Sequence, residues 1–561
     1  MVSDRTVAEV VAASLKRHGV EVIFGQSLPT AAVLAAEDAG IRQFTYRTEN
    51  AGGAMADGYA RVSHKVGVVT AQNGPAATLL VAPLAEALKS SVPIVALVQE
   101  VERPNADRNA FQEIDHLALF AGCAKWVKRV VDASRVEDYM DMAFAAAAGG
   151  RPGPAVLLLP ADLLREPAQI KVERRASLGT YPLDRVGPDP SRLDEAVELL
   201  ANAKNPIVMA GGGVHLSGAA DALAALQEQA HLPVMTTVMG KGTVAETHPL
   251  SLGVGGNVLG KLSPSHYLKP LIQAADVVLL VGTRTAQNGT DSWTTFGKST
   301  RFIHADIDPA EVGRNYEALR LVGDAKLTLE ALATRLRGRR TRSKALVQQI
   351  AEAFERSAKD AAAVMRSNAS PIRPERLIAD IQQVLTPDTL VVGDASYSTV
   401  WVASYLKCLR VGQRFITPRG LAGLGWGLPL ALGVKVAEPT RSVICVVGDG
   451  AFGHVWSELE TARRTNTPIV ITVLNNGVLA YQKHAEDVKY GRHTRAVDFT
   501  PVDHAAIARA CGCRGVAIKR AQDYLPALRE ALAGNETTVL DVDTDPNAFP
   551  PITVFDNFTP A

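Results

Sequence analysis

Aromatic residues make up only 5% of this chain, and cysteine is scarce: five thiols in 561 residues, Cys123, Cys408, Cys445, Cys511 and Cys513. None stands in a C-x-x-C pair or a histidine-rich neighbourhood, which argues against a zinc site. An odd number of scattered thiols fits a reducing cytosol rather than a disulfide framework, so a cytoplasmic location is expected. Charge of one sign is also missing. The 59 Lys and Arg offset 58 Asp and Glu for a net charge of +1, which gives no reason to expect nucleic acid or an anionic membrane as partner. No apolar run reaches the ~18 residues needed to span a bilayer. The opening MVSDRTVAEVVAASLKRHGV distributes its charges through an amphipathic helical pattern, unlike a signal peptide.

What remains is a soluble globular composition, 47% hydrophobic and 21% charged, with plentiful alanine and glycine that suit tightly packed α/β layers. A chain of this length exceeds one core, and three domains are expected. Residues 1–165 alternate helix with buried strands at 22–25, 66–71, 94–98 and 155–159, the pattern of a doubly wound α/β domain. A polar, proline-bearing stretch, Leu164 to Pro190, reads as a linker. A second α/β unit over 191–335 has strands at 206–210, 277–281 and 301–306. Six of the ten residues from Arg335 to Lys344 are basic, which reads as a solvated helix end or connector. A third α/β unit begins near Pro374 and shares size and layout with the first, which suggests duplication without a visible sequence repeat.

The third unit holds the stretch the rest is organised around, SVICVVGDGAFGHVWSELETARRTNTPIVITVLNNGVL, Ser442 to Leu479. Val443–Val447 is a buried parallel strand broken by Gly448-Asp449-Gly450, and a helix is expected from Gly453 to Arg464. A second buried strand, Pro468–Leu474, ends in Asn475-Asn476-Gly477. Parallel strands joined by a helix end on one edge of the sheet, so Asp449 and Asn476 are expected to face one cleft. A carboxylate, an amide oxygen and the carbonyl of Val478 are hard donors that suit Mg²⁺, leaving octahedral positions for phosphate and water. Backbone N–H groups at Gly450-Ala451 would add donors for an anion. Gly448, Gly450 and Gly453 also spell the dinucleotide fingerprint G-x-G-x-x-G. That reading wants an acid at the end of the next strand, where this chain has Asn475 and Asn476. It also sets Asp449 against a pyrophosphate with no cation between. A glycine turn with an incidental aspartate is the remaining alternative.

GDG, about two dozen residues, then NN resembles the cofactor motif of thiamine diphosphate enzymes. From Val7 to Asp543 the chain resembles their acetolactate synthase-like branch. The resemblance implies three doubly wound α/β domains: a pyrimidine-binding domain (1–170), a central domain (188–345) and a diphosphate- and Mg²⁺-binding domain (370–561). It makes Asp449, Asn476 and Val478 the metal ligands, and adds Gly448, Gly450, Ala451 and Leu479 to the cofactor site. Arg47-Thr48-Glu49 followed by Gly58-Tyr59-Ala60-Arg61 is similar to the family's glutamate segment. From the residues alone Glu49 reads as a helix N-terminal charge; the resemblance makes it the catalytic carboxylate. Such a glutamate shares a proton with the cofactor's N1′ and favours the imino tautomer that generates the C2 carbanion. Leu424, in Gly423-Leu424-Gly425-Trp426-Gly427, matches the apolar wedge under the cofactor; its plain reading is a core leucine. Asp394, Ala395 and Ser396 end another strand and are placed to help hold the diphosphate. Gln26 ends the first strand, Asn73 lies in a turn similar to S-G-P-G-A-T, and Gln112 in Ala110-Phe111-Gln112-Glu113 looks like the A-F-Q-E glutamine. Each of these also reads as an ordinary loop residue. Family members pair the glutamate of one subunit with the diphosphate site of another, so a homodimer or dimer of dimers is implied. Gly211-Gly212-Gly213, Arg284 and Asp306 are where relatives that carry FAD or ADP in this domain would hold it.

Departures bear on substrate. The place of the acetolactate synthase tryptophan, nine residues after the second asparagine, is Ala485; Ser27-Leu28 replaces a proline-glycine pair, and Leu424 a methionine. The acceptor pocket is thus remodelled around an intact cofactor apparatus. His484 and Glu486 are proton-transfer candidates on the segment after the metal loop. Decarboxylation of a 2-oxo acid followed by carboligation is the expected reaction, with an aldehyde, oxo acid or acyl-CoA as partner substrate. A 2-hydroxyacyl-CoA or acyloin lyase is the alternative; the absence of Lys and Arg from Asp541 to Ala561 argues against a bound CoA. A non-catalytic nucleotide-binding regulatory subunit is a third, which loss of Glu49 or Asp449 would have supported.

Overall fold

The computed structural model describes residues 5–168 and 174–558. Residues 169–173 of the expected linker, and both chain ends, lie outside the described residues. Three six-stranded, all-parallel sheets carry the chain. The first contains β1 (Val22–Phe24), β2 (Arg42–Phe44), β3 (Gly67–Ala71), β4 (Ile94–Glu100), β5 (Trp126–Arg129) and β6 (Pro154–Pro160), in the order β2-β1-β3-β4-β6-β5. The second contains β7 (Pro206–Ala210), β8 (Val234–Thr236), β9 (Ser251–Val254), β10 (Val277–Val281), β11 (Arg301–Asp306) and β12 (Ala318–Val322), in the order β12-β11-β10-β7-β8-β9. The third contains β13 (Leu390–Gly393), β14 (Phe415–Ile416), β15 (Val443–Gly448), β16 (Val470–Asn475), β17 (Arg514–Ile518) and β18 (Thr538–Asp543), in the order β14-β13-β15-β16-β18-β17. The first and third sheets thus share one strand order, the topological counterpart of the duplication that their layout suggests. Central strands such as β7, β10 and β15 are continuous apolar runs because parallel sheets are covered on both faces.

The chain forms two compact units. One comprises Met1–Asp184, Pro418–Thr440 and Val455–Ile469; the other comprises Arg185–Thr417, Arg441–His454 and Val470–Ala561. In the first unit the Glu49–Ser63 helix lies against the Gly427–Ala437 helix at backbone distance. A Cβ on Gly433 would sit 1.9 Å from the carbonyl oxygen of Met55, and one on Gly58 2.3 Å from that of Leu430. The alanine- and glycine-rich sequence around Glu49 exists for this crossing. The described part of the expected linker has no regular helix or strand beyond a 3₁₀ turn (Leu163–Arg165), yet it is anchored: the Tyr181 hydroxyl donates to the Ala60 carbonyl at 2.7 Å. The second unit holds the other two sheets, whose cores include Val208, Leu279 and Ile303, and Val391, Ile444 and Leu540.

The helix expected over Gly453–Arg464 begins later. Asp449–Phe452 makes one helical turn, i→i+3 bonds tighten the chain through Gly453–Ser457, and the regular helix is Glu458–Arg464. The interruption falls where the chain passes from one unit to the other, between His454 and Val455. The basic run 335–344 is largely consumed locally: Arg340 donates to the carbonyls of Leu200 and Ala203, and Arg339 pairs with Glu198.

Candidate active site

In the second unit, the register Gly448↔Leu474 brings the carboxyl ends of β15 and β16 side by side. Asp449, 7% exposed, accepts the Gly477 N–H on Oδ2 at 2.8 Å, and Asn476 Oδ1 accepts the Val478 N–H at 3.1 Å. Asp449 and Asn476 therefore share one corner, as their spacing predicts. Burial pushes the Asp449 carboxyl up to about 6, against the pull of the amides of Gly477 and Gly450. A cation at this corner would reverse that penalty. Among the described residues no three His, Cys, Asp or Glu side chains converge as a metal cage. One carboxylate with an amide oxygen and a carbonyl fits Mg²⁺, whose remaining positions go to phosphate and water. The turn is braced by the segment after it: Leu479 N–H donates to Val497 and Phe499 N–H to Gly477. Asn475 faces elsewhere, donating to Asp541 Oδ1 at 3.0 Å and to the Val502 carbonyl.

β13, the next strand over, is followed by Asp394-Ala395-Ser396. Asp394 is fully buried and accepts the Ala395 N–H. Ser396 has φ +63° and ψ −139°, a conformation that is nearly confined to glycine, immediately before the Tyr397–Tyr405 helix. Strain of that kind gathers where backbone must face a ligand. His484 is buried and both its ring nitrogens are engaged, Nδ1 with the Tyr397 hydroxyl at 2.8 Å and Nε2 with the Pro546 carbonyl at 3.1 Å. It stacks on Phe549, and burial lowers its pKa to about 4. Glu486 lies in a more solvated part of the Ala480–Tyr490 helix that carries His484, accepting from the Gln482 side chain and the Thr494 N–H.

In the first unit, Glu49 opens the Glu49–Ser63 helix just after its N-cap Thr48. It is half-buried, and among the described residues its carboxylate has no hydrogen bond or ion pair. Asn73 is buried, but its amide donates to the carbonyls of Phe111 and Gln112. Gln112, at φ +61°, accepts from Gln72 at 2.7 Å, so these residues form one cluster. His116, buried and paired with Glu100, accepts the Gly74 N–H at 3.0 Å and supports the same turn. Gln26 is exposed at the end of β1, and Leu424 is half-buried before the Gly427–Ala437 helix. Sequence reading passed over His116, Glu86 and Glu458, whose importance lies in bonds to backbone far away in the chain.

Three family models match in chain order: the thiamine pyrophosphate enzyme N-terminal binding domain over residues 5–119, the central domain over 193–332 and the C-terminal binding domain over 394–542. The chain is 33% identical to a probable acetolactate synthase large subunit of Methanococcus aeolicus, over 96% of this chain and 92% of the relative. It is 32% identical to the corresponding protein of Methanocaldococcus jannaschii, over 96% and 92%, and to an acetolactate synthase of Arthrospira platensis, over 94% and 92%. The chain belongs to the thiamine diphosphate enzyme family. Within it, this thiamine diphosphate enzyme stands in the acetolactate synthase-like branch, among carboligases and decarboxylases. These relatives do not favour a lyase or a regulatory subunit. No helix among the described residues is long and apolar enough to cross a membrane.

Proposed function

We propose that this enzyme requires Mg²⁺ with thiamine diphosphate, decarboxylates a 2-oxo acid and joins the acyl unit to a second carbonyl substrate. The observation that carries the reading is the Asp449 corner: a buried carboxylate, destabilised as an anion, beside the Asn476 turn. Asp449, Asn476 and the Val478 carbonyl would hold the metal. Gly448, Gly450, Ala451, Leu479 and the Asp394–Ser396 turn would line the diphosphate. When bound, the cofactor supplies a nucleophilic carbon that adds to carbonyls and accepts the electrons of the broken C–C bond. Glu49 would share a proton with the bound cofactor through its carboxylate, and Leu424 would support the cofactor's rings. Gln112 and Gln26 present amides to substrate. Glu486 is the more available of the two late proton-transfer candidates, because His484 is occupied on both nitrogens.

The functional assembly in this reading is a homodimer or a dimer of dimers, with residues 1–170, 188–345 and 370–561 as pyrimidine-binding, central and diphosphate-binding parts. FAD or ADP in the central domain belongs to the same proposal, with Arg284 and Asp306 as contacts; flavin absorbance or released ADP from purified protein tests it. Asp306 already accepts the Asp308 N–H in its own turn. The test of the main reading is turnover with thiamine diphosphate and Mg²⁺ on pyruvate and other 2-oxo acids, alone and with aldehyde or oxo-acid acceptors. Release of CO₂ that depends on both additions is expected. No consumption of any 2-oxo acid would overturn it.

A further inference from the structure

Two buried carboxylates in the first unit have no place in the scheme above. Glu458, fully buried in the Glu458–Arg464 helix, accepts the Arg47 N–H at 3.1 and 3.2 Å, the Thr48 N–H at 3.1 Å and the Thr461 hydroxyl at 2.7 Å. Glu86, 1% exposed in the Val81–Ser90 helix, accepts the N–H groups of Gly420, Leu421 and Ala422 at 2.7, 2.5 and 3.2 Å and the Ser90 hydroxyl at 2.8 Å. Arg61, paired with Asp57, stands 3.9 Å from Glu86.

The two arrangements are counterparts. The Glu49–Ser63 and Gly427–Ala437 helices each precede the third strand of their sheet, β3 and β15. The Val81–Ser90 and Glu458–Arg464 helices each precede the fourth, β4 and β16. The later helix of each repeat thus reaches the loop that leads into the earlier helix of the other repeat. One such loop ends at Glu49, and the other carries Leu424.

We propose that Glu458 and Glu86 are a reciprocal pair of positioning residues: Glu458 fixes the peptide that presents Glu49, and Glu86 fixes the segment that presents Leu424. This rests on the reading that Glu49 and Leu424 meet the cofactor. Neither acid touches cofactor or substrate. A carboxylate suits the task because it is acceptor-only and offers lone pairs to several amides at once. Glutamine in its place turns a donor toward donors and leaves one amide unpaired. Ala422, at φ +60°, is a place where loss of support would let the backbone relax.

The test uses the full-length protein with Glu458→Gln, Glu458→Asp, Glu86→Gln and Glu49→Gln. Amide hydrogen exchange without cofactor is read by segment, followed by cofactor affinity, kcat and KM. Expected for Glu458→Gln is exchange at least tenfold faster at Arg47 and Thr48, unchanged exchange at 420–422, and kcat down at least tenfold with KM within threefold. Glu86→Gln should show the complementary exchange pattern, with thiamine diphosphate affinity weakened at least threefold. Should Glu458→Gln fail to fold, Glu458→Asp, whose carboxylate is one methylene short, carries the same expectation. Unchanged exchange at 47–48, or faster exchange throughout residues 5–168, would overturn the positioning role. If Glu49→Gln turns over at the wild-type rate, the reading of Glu49 is wrong, and the exchange pattern still decides the clamp.

Discussion

Replacing Asp449 with asparagine should make the ligand-free protein more stable at pH 8 and leave it nearly unchanged at pH 4. The carboxyl is 7% exposed, and burial moves its pKa from 3.8 to about 6. That difference corresponds to about 3 kcal/mol against the anion. The folded state binds this proton more tightly than the unfolded state, so stability falls as pH rises from 3.8 through 6, and the full cost is present above 6. Asparagine removes the charge and keeps an oxygen able to accept the Gly477 N–H. Urea unfolding of the variant should therefore show a gain of at most about 3 kcal/mol at pH 8, or about 1 M in midpoint for a slope of about 3 kcal/mol/M. The gain should shrink to a small fraction of that by pH 4 and vanish below 3.8. Thiamine diphosphate with Mg²⁺ should reverse the order, because only the wild type offers the cation an anionic ligand. A variant less stable than wild type at every pH, or a gain independent of pH, would refute the reasoning.

Glu49→Gln should retain cofactor binding, measured by quenching of intrinsic fluorescence, and lose at least tenfold in kcat (~1.4 kcal/mol or more of barrier). His484→Gln should flatten acid destabilisation. The unfolded histidine takes a proton near 6.5 and the folded one resists until about 4, so stability is lost as pH falls across that window. Unfolding free energies of this variant and wild type at pH 8 and 5 give the comparison, and equal slopes would remove His484 from the account. Gly433→Ala should lower thermal stability despite alanine's helix propensity, by about 1–3 kcal/mol for overpacking, since its Cβ would meet the Met55 carbonyl; calorimetry of the purified variant checks it.

Central strands were legible because a sheet covered on both faces demands unbroken apolar runs, as in Val277–Val281 and Val443–Val447. Edge strands were not. Trp126–Arg129, Ala318–Val322 and Arg514–Ile518 are half-exposed and mixed in character, and they pair because a neighbour offers its edge. The Asp449–Asn476 corner could be read because parallel β-α-β connectivity fixes which strand ends meet. Asn73 shows the limit: its turn was visible in sequence, but its partners lie at Phe111 and Gln112. Glu458 and Glu86 look like ordinary helix-surface acids in sequence, and only long-range pairing with amides distinguishes them.

The scattering of the first unit over three chain segments has a consequence during synthesis. Its opening 184 residues emerge about 285 residues before Ile469 completes the unit. At 5–20 residues per second that is a wait of roughly 15–60 s on the ribosome. For most of it the glycine face of the Glu49–Ser63 helix has no Gly427–Ala437 helix to lie against. A nascent chain so arranged needs shielding from its neighbours, and a fragment ending at Asp184 is expected to be recovered as aggregate rather than as a working domain.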